Sequence, residues 1–261
     1  MNNNQGYVNK KYLEQAAQTF KNIKAYSYEM MSISVGDCAL DVGCGPGIDV
    51  LQLANQVGVK GLAVGIDHDS QMIEEAKSLA ESENIAERVK FHVNDVTSLP
   101  FDNNYFDSCR SERVFMHLQN PLATLREMHR VTKTNGRVVV AESDWSSLSI
   151  DCDAVGTEKK IFQYHRDKIM ASGYAGRSLF RFFRITGFSE IDIRIFPVFT
   201  TDLSAFSDLV RLEYIEEQAL SANAISKQEL AMWREQLQNA NEQGYFFCSM
   251  NVFVVAGTKS E

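Results

Sequence analysis

The sequence predicts an α/β fold, doubly wound around a mostly parallel sheet. Two observations carry this expectation. From Leu40 to Val140 short apolar runs alternate with amphipathic helical stretches, and three of the runs end in an acidic residue. Parallel neighbours need a crossover between them, which the intervening helices supply. With 261 residues and no repeats, low-complexity tracts or long linkers, the chain reads as one domain over residues 1–261.

Each element has its own signal. The first 30 residues carry Leu13, Ala16, Phe20 and Ile23 at helical spacing, one apolar face that must pack somewhere. Ala39-Leu40-Asp41-Val42 is a short apolar run that leads into Gly43-Cys44-Gly45-Pro46-Gly47. Glycines there allow a tight turn and a close approach of backbone to ligand. A dinucleotide fingerprint spaces its glycines G-x-G-x-x-G around a pyrophosphate. Here the spacing is G-x-G-x-G, and Asp41 just ahead of the loop would repel a pyrophosphate but suits a ligand carrying an ammonium group.

The second run, Gly61 to Asp67, ends in an acid 20 residues after Gly47, where a carboxylate can accept both hydroxyls of a ribose. Asp69 or Ser70 can cap a helix through Met72, Ile73 and Ala76. The third run, Val89 to Val96, contains Asn94 and closes on Asp95. Three acids delivered to the carboxyl ends of neighbouring strands build one polar crevice, the place where open α/β sheets bind ligands. Asn120 before Pro121 starts a further helix with Leu122, Leu125 and Met128, and Asn135-Gly136 turns into a strand from Arg137 to Ala141. Glu112 and Arg113 follow the fourth strand into the crevice, where they can pair with each other or meet a substrate.

Composition excludes several classes. The formal charge is −8, with no dense Lys/Arg stripe, so nucleic acid is not expected as a partner. The amino terminus lacks the basic-then-apolar pattern of a signal peptide, and no apolar stretch nears the roughly 18 residues of a membrane span, so a cytoplasmic location is expected. Five cysteines without a C-x-x-C pair argue against a disulfide framework and a zinc site, and no other metal site is readable.

The segment Asp41 to Gly47 resembles motif I of the S-adenosylmethionine-dependent methyltransferases with a Rossmann-like fold. Leu99-Pro100-Phe101-Asp102, then Tyr105-Phe106-Asp107-Ser108, then Ser111 to His117-Leu118, is similar to the pattern of the ubiquinone/menaquinone-type methyltransferases and their small-molecule relatives. The likeness covers residues 37–142. It implies a seven-stranded sheet whose last strand is antiparallel, with Phe246 to Ala256 as that strand and Ile191 to Phe196 beside it.

The resemblance also implies roles. Asp41, Gly43, Gly45 and Gly47 hold the amino-acid end of S-adenosylmethionine, and Cys44 lines the loop through its backbone. Asp67 takes the ribose, His68 and Met72 flank the adenine, Asp95 and the Val96 amide read its edge with Asn94 beside them, and the Arg110-Ser111 backbone lies below the sulfonium. His117 is the candidate base if the acceptor carries a proton. In some relatives that histidine pairs with a tyrosine of the N-terminal segment, for which Tyr7 is the nearest match; Tyr12 and Tyr26 are further candidates to reach the crevice.

Two stretches, about 146–176 and 202–243, exceed what the sheet needs. The second carries Phe206, Leu209, Val210 and Tyr214 on one helical face, then Ser226 to Glu229 as a capping box. Of 27 aromatic residues 17 follow Ser143, so these insertions are expected to act as a lid over a hydrophobic or aromatic small-molecule substrate, with Trp145 and Tyr174 foremost. The methylated atom is open among carbon, nitrogen and oxygen. A catalytically silent cofactor-binding or partner-binding module is the alternative.

Overall fold

The computed structural model describes residues 20–260. Its seven strands, in chain order, are β1 (Cys38–Val42), β2 (Leu62–Asp67), β3 (Val89–Val93), β4 (Phe106–Glu112), β5 (Thr132–Ile150), β6 (Phe188–Thr200) and β7 (Cys248–Lys259). The helices are α1 (Lys21–Met30), α2 (Ile48–Val57), α3 (Ser70–Ser82), α4 (Pro121–Val131), α5 (Val155–Tyr164), α6 (Ala175–Thr186), α7 (Leu203–Val210), α8 (Leu212–Ser221) and α9 (Lys227–Glu242).

The strands lie in the order β3-β2-β1-β4-β5-β7-β6. β1 pairs in parallel with both β2 and β4, whereas β7 is antiparallel to β5 and β6. Strand order reverses between β1 and β4, and the crevice outside their carboxyl ends is where such sheets take a ligand. Strand alternation splits the core into two layers. Ala39, Ala63, Val139 and Val254 face α1, α2 and α3, while Leu40, Val64, Val140 and Val255 face α4 and α6.

Local signals explain most of the boundaries. Asp69 caps α3 by accepting the Gln71 N–H at 2.8 Å, Asn120 caps α4 by accepting that of Ala123 at 3.1 Å, and Ser226 and Glu229 form a reciprocal box at the start of α9. Phe20 and Ile23 bury their side chains against the sheet; Leu13 and Ala16, from the same stripe, lie outside the described residues. β5 runs much further than Arg137 to Ala141. Beyond a bulge after Asp144 it is still paired with β7, Ser149 opposite Ser249 and Ile150 opposite Cys248. A partner strand, which local sequence does not announce, sets that length.

Both inserted stretches stand at the carboxyl end of the sheet, on the extensions of β5, β6 and β7. Helices α5, α7, α8 and α9 close around their own apolar cluster. At its centre lies Trp233, 0% exposed and edge-on to Phe162 at 6.2 Å. No helix among the described residues is long and apolar enough to cross a membrane. Trp233→Ala is expected to cost about 3–5 kcal/mol, the range for emptying an aromatic site that cannot collapse, read as a lower midpoint in chemical denaturation.

Candidate active site

The glycine loop leaves β1 and turns into α2 through three left-handed residues, Gly43, Gly45 and Gly47, at φ 77°, 51° and 81°. At Gly43 a Cβ would also lie 2.3 Å from a methyl of Val114, so both conformation and space demand glycine there. Gly47 caps α2, and its missing Cβ lets the helix approach Ala76 and Phe91. Beside the loop opens a cavity of about 360 Å³.

Three groups of residues, and a charged edge of Lys24, Asp49, Glu112 and Arg113, line this cavity. Gly43, Cys44, Gly45 and Pro46 form its floor; Asp67, His68, Met72, Asp95 and Val96 form one end; Val114, Met116, His117 and Leu118 form a largely apolar wall. Asp67 is held by the backbone: its Oδ2 accepts the Gly45 N–H at 2.9 Å and its Oδ1 the Asp69 N–H at 3.0 Å. A carboxylate has about four lone-pair sites, so acceptor capacity remains for a vicinal diol. The Asp95 Oδ1 accepts the Thr97 N–H and hydroxyl, each at 2.7 Å, and these bonds keep its carboxyl below the usual range. This donor and acceptor set suits a ribosyl adenine lying against the loop.

Burial, with the Arg113 cation adding to it, pushes the His117 imidazole down to about 4. His117 is therefore a neutral imidazole at neutral pH. Its turn, Phe115–His117, connects β4 to α4.

The side chains of other expected site residues do not line the cavity. Asp41 is buried beneath the loop and does not line the cavity, because Arg110 faces it from β4 at 3.6 Å. Arg110 is itself fully buried, out of the cavity lining, and stacks its guanidinium on Tyr28, 4.7 Å from the ring centre. Ser111 donates its hydroxyl to the Val42 carbonyl at 2.8 Å, tying β4 to β1. Asn94 supports the Asp67 end from behind, donating its N–H to the Asp67 carbonyl at 2.9 Å and its amide to that of Ser98 at 2.8 Å.

Trp145 is also outside the lining, one layer back, its indole N–H 3.2 Å from the Met116 sulfur. Tyr174 is partly exposed and donates to Asp167 at 3.1 Å, with Arg166 over its ring. Tyr26 packs on Phe196 at 5.3 Å and does not line the cavity. Tyr7 and Tyr12 lie outside the described residues.

Among the cavity residues, Lys24, Ile48 and Asp49 have no reading in the sequence. Lys24 reaches from α1 to Asp49 at 2.6 Å and to Glu112 at 3.0 Å. Asp49, in the first turn of α2, meets Arg110 at 3.1 Å and accepts the Tyr28 hydroxyl; Glu112 meets Arg110 at 2.6 Å and Arg113 at 3.5 Å. Against the upward push of burial, Arg110 and Lys24 hold the Asp49 carboxyl well below the usual range, while burial raises that of Asp41 to about 7. The signal for Asp49 is an acid two residues past the last glycine, although acids are common in any first helical turn.

Residues 33–172 match the family model described as a methyltransferase domain, and the chain belongs to that family. It is an enzyme of the methyltransferase class. It is 31% identical over 246 residues to an uncharacterised 37.1 kDa transposon-encoded protein of Streptomyces fradiae, covering 94% of this chain and 69% of that one. It is 34% identical over 120 residues to the demethylmenaquinone methyltransferase of Staphylococcus epidermidis, covering 46% of this chain and 48% of the relative. Among solved structures, the geranyl diphosphate C-methyltransferase of Streptomyces coelicolor has the same fold, with a TM-score of 0.60 at 15% identity over 99% of this chain and 86% of that one.

If the free acceptor capacity of Asp67 meets a ribose, Asp67→Ala is expected to weaken S-adenosylhomocysteine binding by about 2–4 kcal/mol, two charge-assisted bonds being lost and partly replaced by water. Isothermal titration calorimetry on the folded variant checks this.

Proposed function

We propose that the protein transfers a methyl group from S-adenosylmethionine to a small, hydrophobic or aromatic acceptor. The observation that carries this reading is the joining, in one cavity, of a carboxylate end formed by Asp67 and Asp95 to an apolar wall formed by Val114, Met116 and Leu118. S-adenosylmethionine, when bound, supplies an electrophilic methyl on a sulfonium. Asp67 and Asp95 orient the adenosine end, and the glycine loop lets the backbone lie close to the ligand. The apolar wall keeps bulk water from the reacting centre and favours an acceptor whose reacting part is uncharged. Alignment of this kind is worth about 7–11 kcal/mol of barrier in well-oriented reactions, so few catalytic groups are needed.

His117 stays neutral over the working pH range, so it can accept the hydrogen bond of an acceptor group that carries a proton and take that proton as the new bond forms. The name of one similar protein supports an acceptor with a large apolar part: demethylmenaquinone methyltransferase. The inserted helices do not themselves line the cavity, and Trp145, just ahead of them, backs Met116. We read them as a lid that sets acceptor choice, and the protein as a cytoplasmic small-molecule enzyme without a nucleic-acid partner, in keeping with its charge of −8.

A metabolite extract incubated with the enzyme and S-adenosylmethionine should yield a product heavier by one CH₂, about 14 mass units, in mass spectrometry; no methylated product from any extract would overturn the reading. His117→Ala is expected to lower turnover about 10²- to 10⁴-fold while leaving S-adenosylhomocysteine affinity unchanged. Because the His117 pKa is lowered to about 4, wild-type turnover should not lose this base as pH falls from 8 to 6, and should lose it only on approach to pH 4. Steady-state rates against pH check both points.

A further inference from the structure

Glu142 is a fully buried carboxylate on β5 that does not line the cavity. Its Oε2 accepts the Met116 N–H at 3.1 Å and its Oε1 the Ser143 N–H at 2.9 Å, and a hydrogen bond from the Phe115 backbone completes the set. One residue earlier, the Ala141 carbonyl accepts the Arg113 N–H at 2.9 Å. The connection from β4 into the Phe115–His117 turn is thus suspended from two consecutive residues of β5. On its other side Ser172 completes the grip, donating its N–H to the Met116 carbonyl at 3.0 Å and its hydroxyl to that of Leu118 at 2.9 Å.

A carboxylate in this position is costly. Burial pushes its pKa up to about 7, and an apolar side chain of similar volume would avoid that penalty. What an apolar side chain cannot do is receive the first backbone N–H groups of this short helical turn, those of Phe115 and Met116, which the turn's own bonds do not reach.

We propose that Glu142 is a positioning residue for methyl transfer: its carboxylate fixes the Phe115–His117 turn, so that Met116, His117 and Leu118 present one rigid wall to the reacting groups. The inference uses the family's reaction and holds whichever acceptor is methylated. It assigns Glu142 no contact with substrate or cofactor. In the Glu142→Gln variant the amide would fill the same volume, but its NH₂ would face a backbone N–H from which it cannot accept. The turn should then loosen and water should reach His117.

The experiment compares the wild type with Glu142→Gln and, in case the amide fails to fold, Glu142→Asp, which keeps the charge but shortens its reach. The expected signature is a His117 titration, followed by NMR of the imidazole ring protons, that moves up from about 4 toward the ordinary histidine range, while that of His129 on α4 stays put. Methyl transfer from labelled S-adenosylmethionine into a metabolite extract should fall at least tenfold, and S-adenosylhomocysteine affinity should remain within threefold. A folded variant with an unmoved His117 titration, or with labelling within twofold of wild type, overturns the proposal. Should the wild type label nothing in the extract, the acceptor reading fails while the His117 titration still decides the role of Glu142.

Discussion

Arg110 carries a full charge with no exposure to water, and the architecture around the crevice is built to neutralise it. Removing one such ion from water costs several kcal/mol, so its surroundings must supply opposite charge at close range. They do so from three separate elements: Asp41 on β1, Asp49 on α2 and Glu112 on β4 itself. Lys24 and Tyr28 bring in α1, and the pairing fixes that helix against the loop it helps to enclose. The two buried aspartates divide unequally. Burial is the largest single influence on both, but Asp49 has Lys24, Arg110 and the Tyr28 hydroxyl close at hand, whereas Asp41 meets Arg110 at longer range, so the net shift is downward at Asp49 and upward at Asp41.

The same cluster marks the limit of what local sequence encodes. The glycine loop, Asp67 and Asp95 were legible because each belongs to a local pattern, a strand end followed by a turn, and the fold then brings the ends together. Asp41 belongs to such a pattern too, but its surroundings are decided by a residue of β4, far along the chain, and no local rule says that Arg110 points inward beneath the loop. Lys24 and Asp49 look like ordinary polar residues of two helices until α1 is laid across the sheet. Trp145 was legible as an aromatic near the insertions, yet it backs Met116 and does not itself line the cavity. Sequence alternation tells which residues leave the surface, not which of them reach the last layer before a ligand.

Helix and strand boundaries divide along the same line. Caps such as Asn120 and Ser226 are short-range chemistry and fall where the sequence puts them. The length of β5 is long-range chemistry, set by pairing with β7 near the other end of the chain, and the run beyond Ala141 carries no alternation that announces it.

That long strand has a consequence for how the molecule can change over time. β5 passes the glutamate behind the turn, then Asp144, which grips Arg177 of α6 through a pair of bonds at 2.7 and 2.9 Å, and only then reaches the base of the inserted helices. Those helices keep their own apolar cluster and meet the sheet through the ends of three strands. Substitutions can therefore accumulate in the outer helices while the cavity beside the glycine loop is left intact. The packing of those helices can thus vary on its own, independently of the cavity beside the glycine loop.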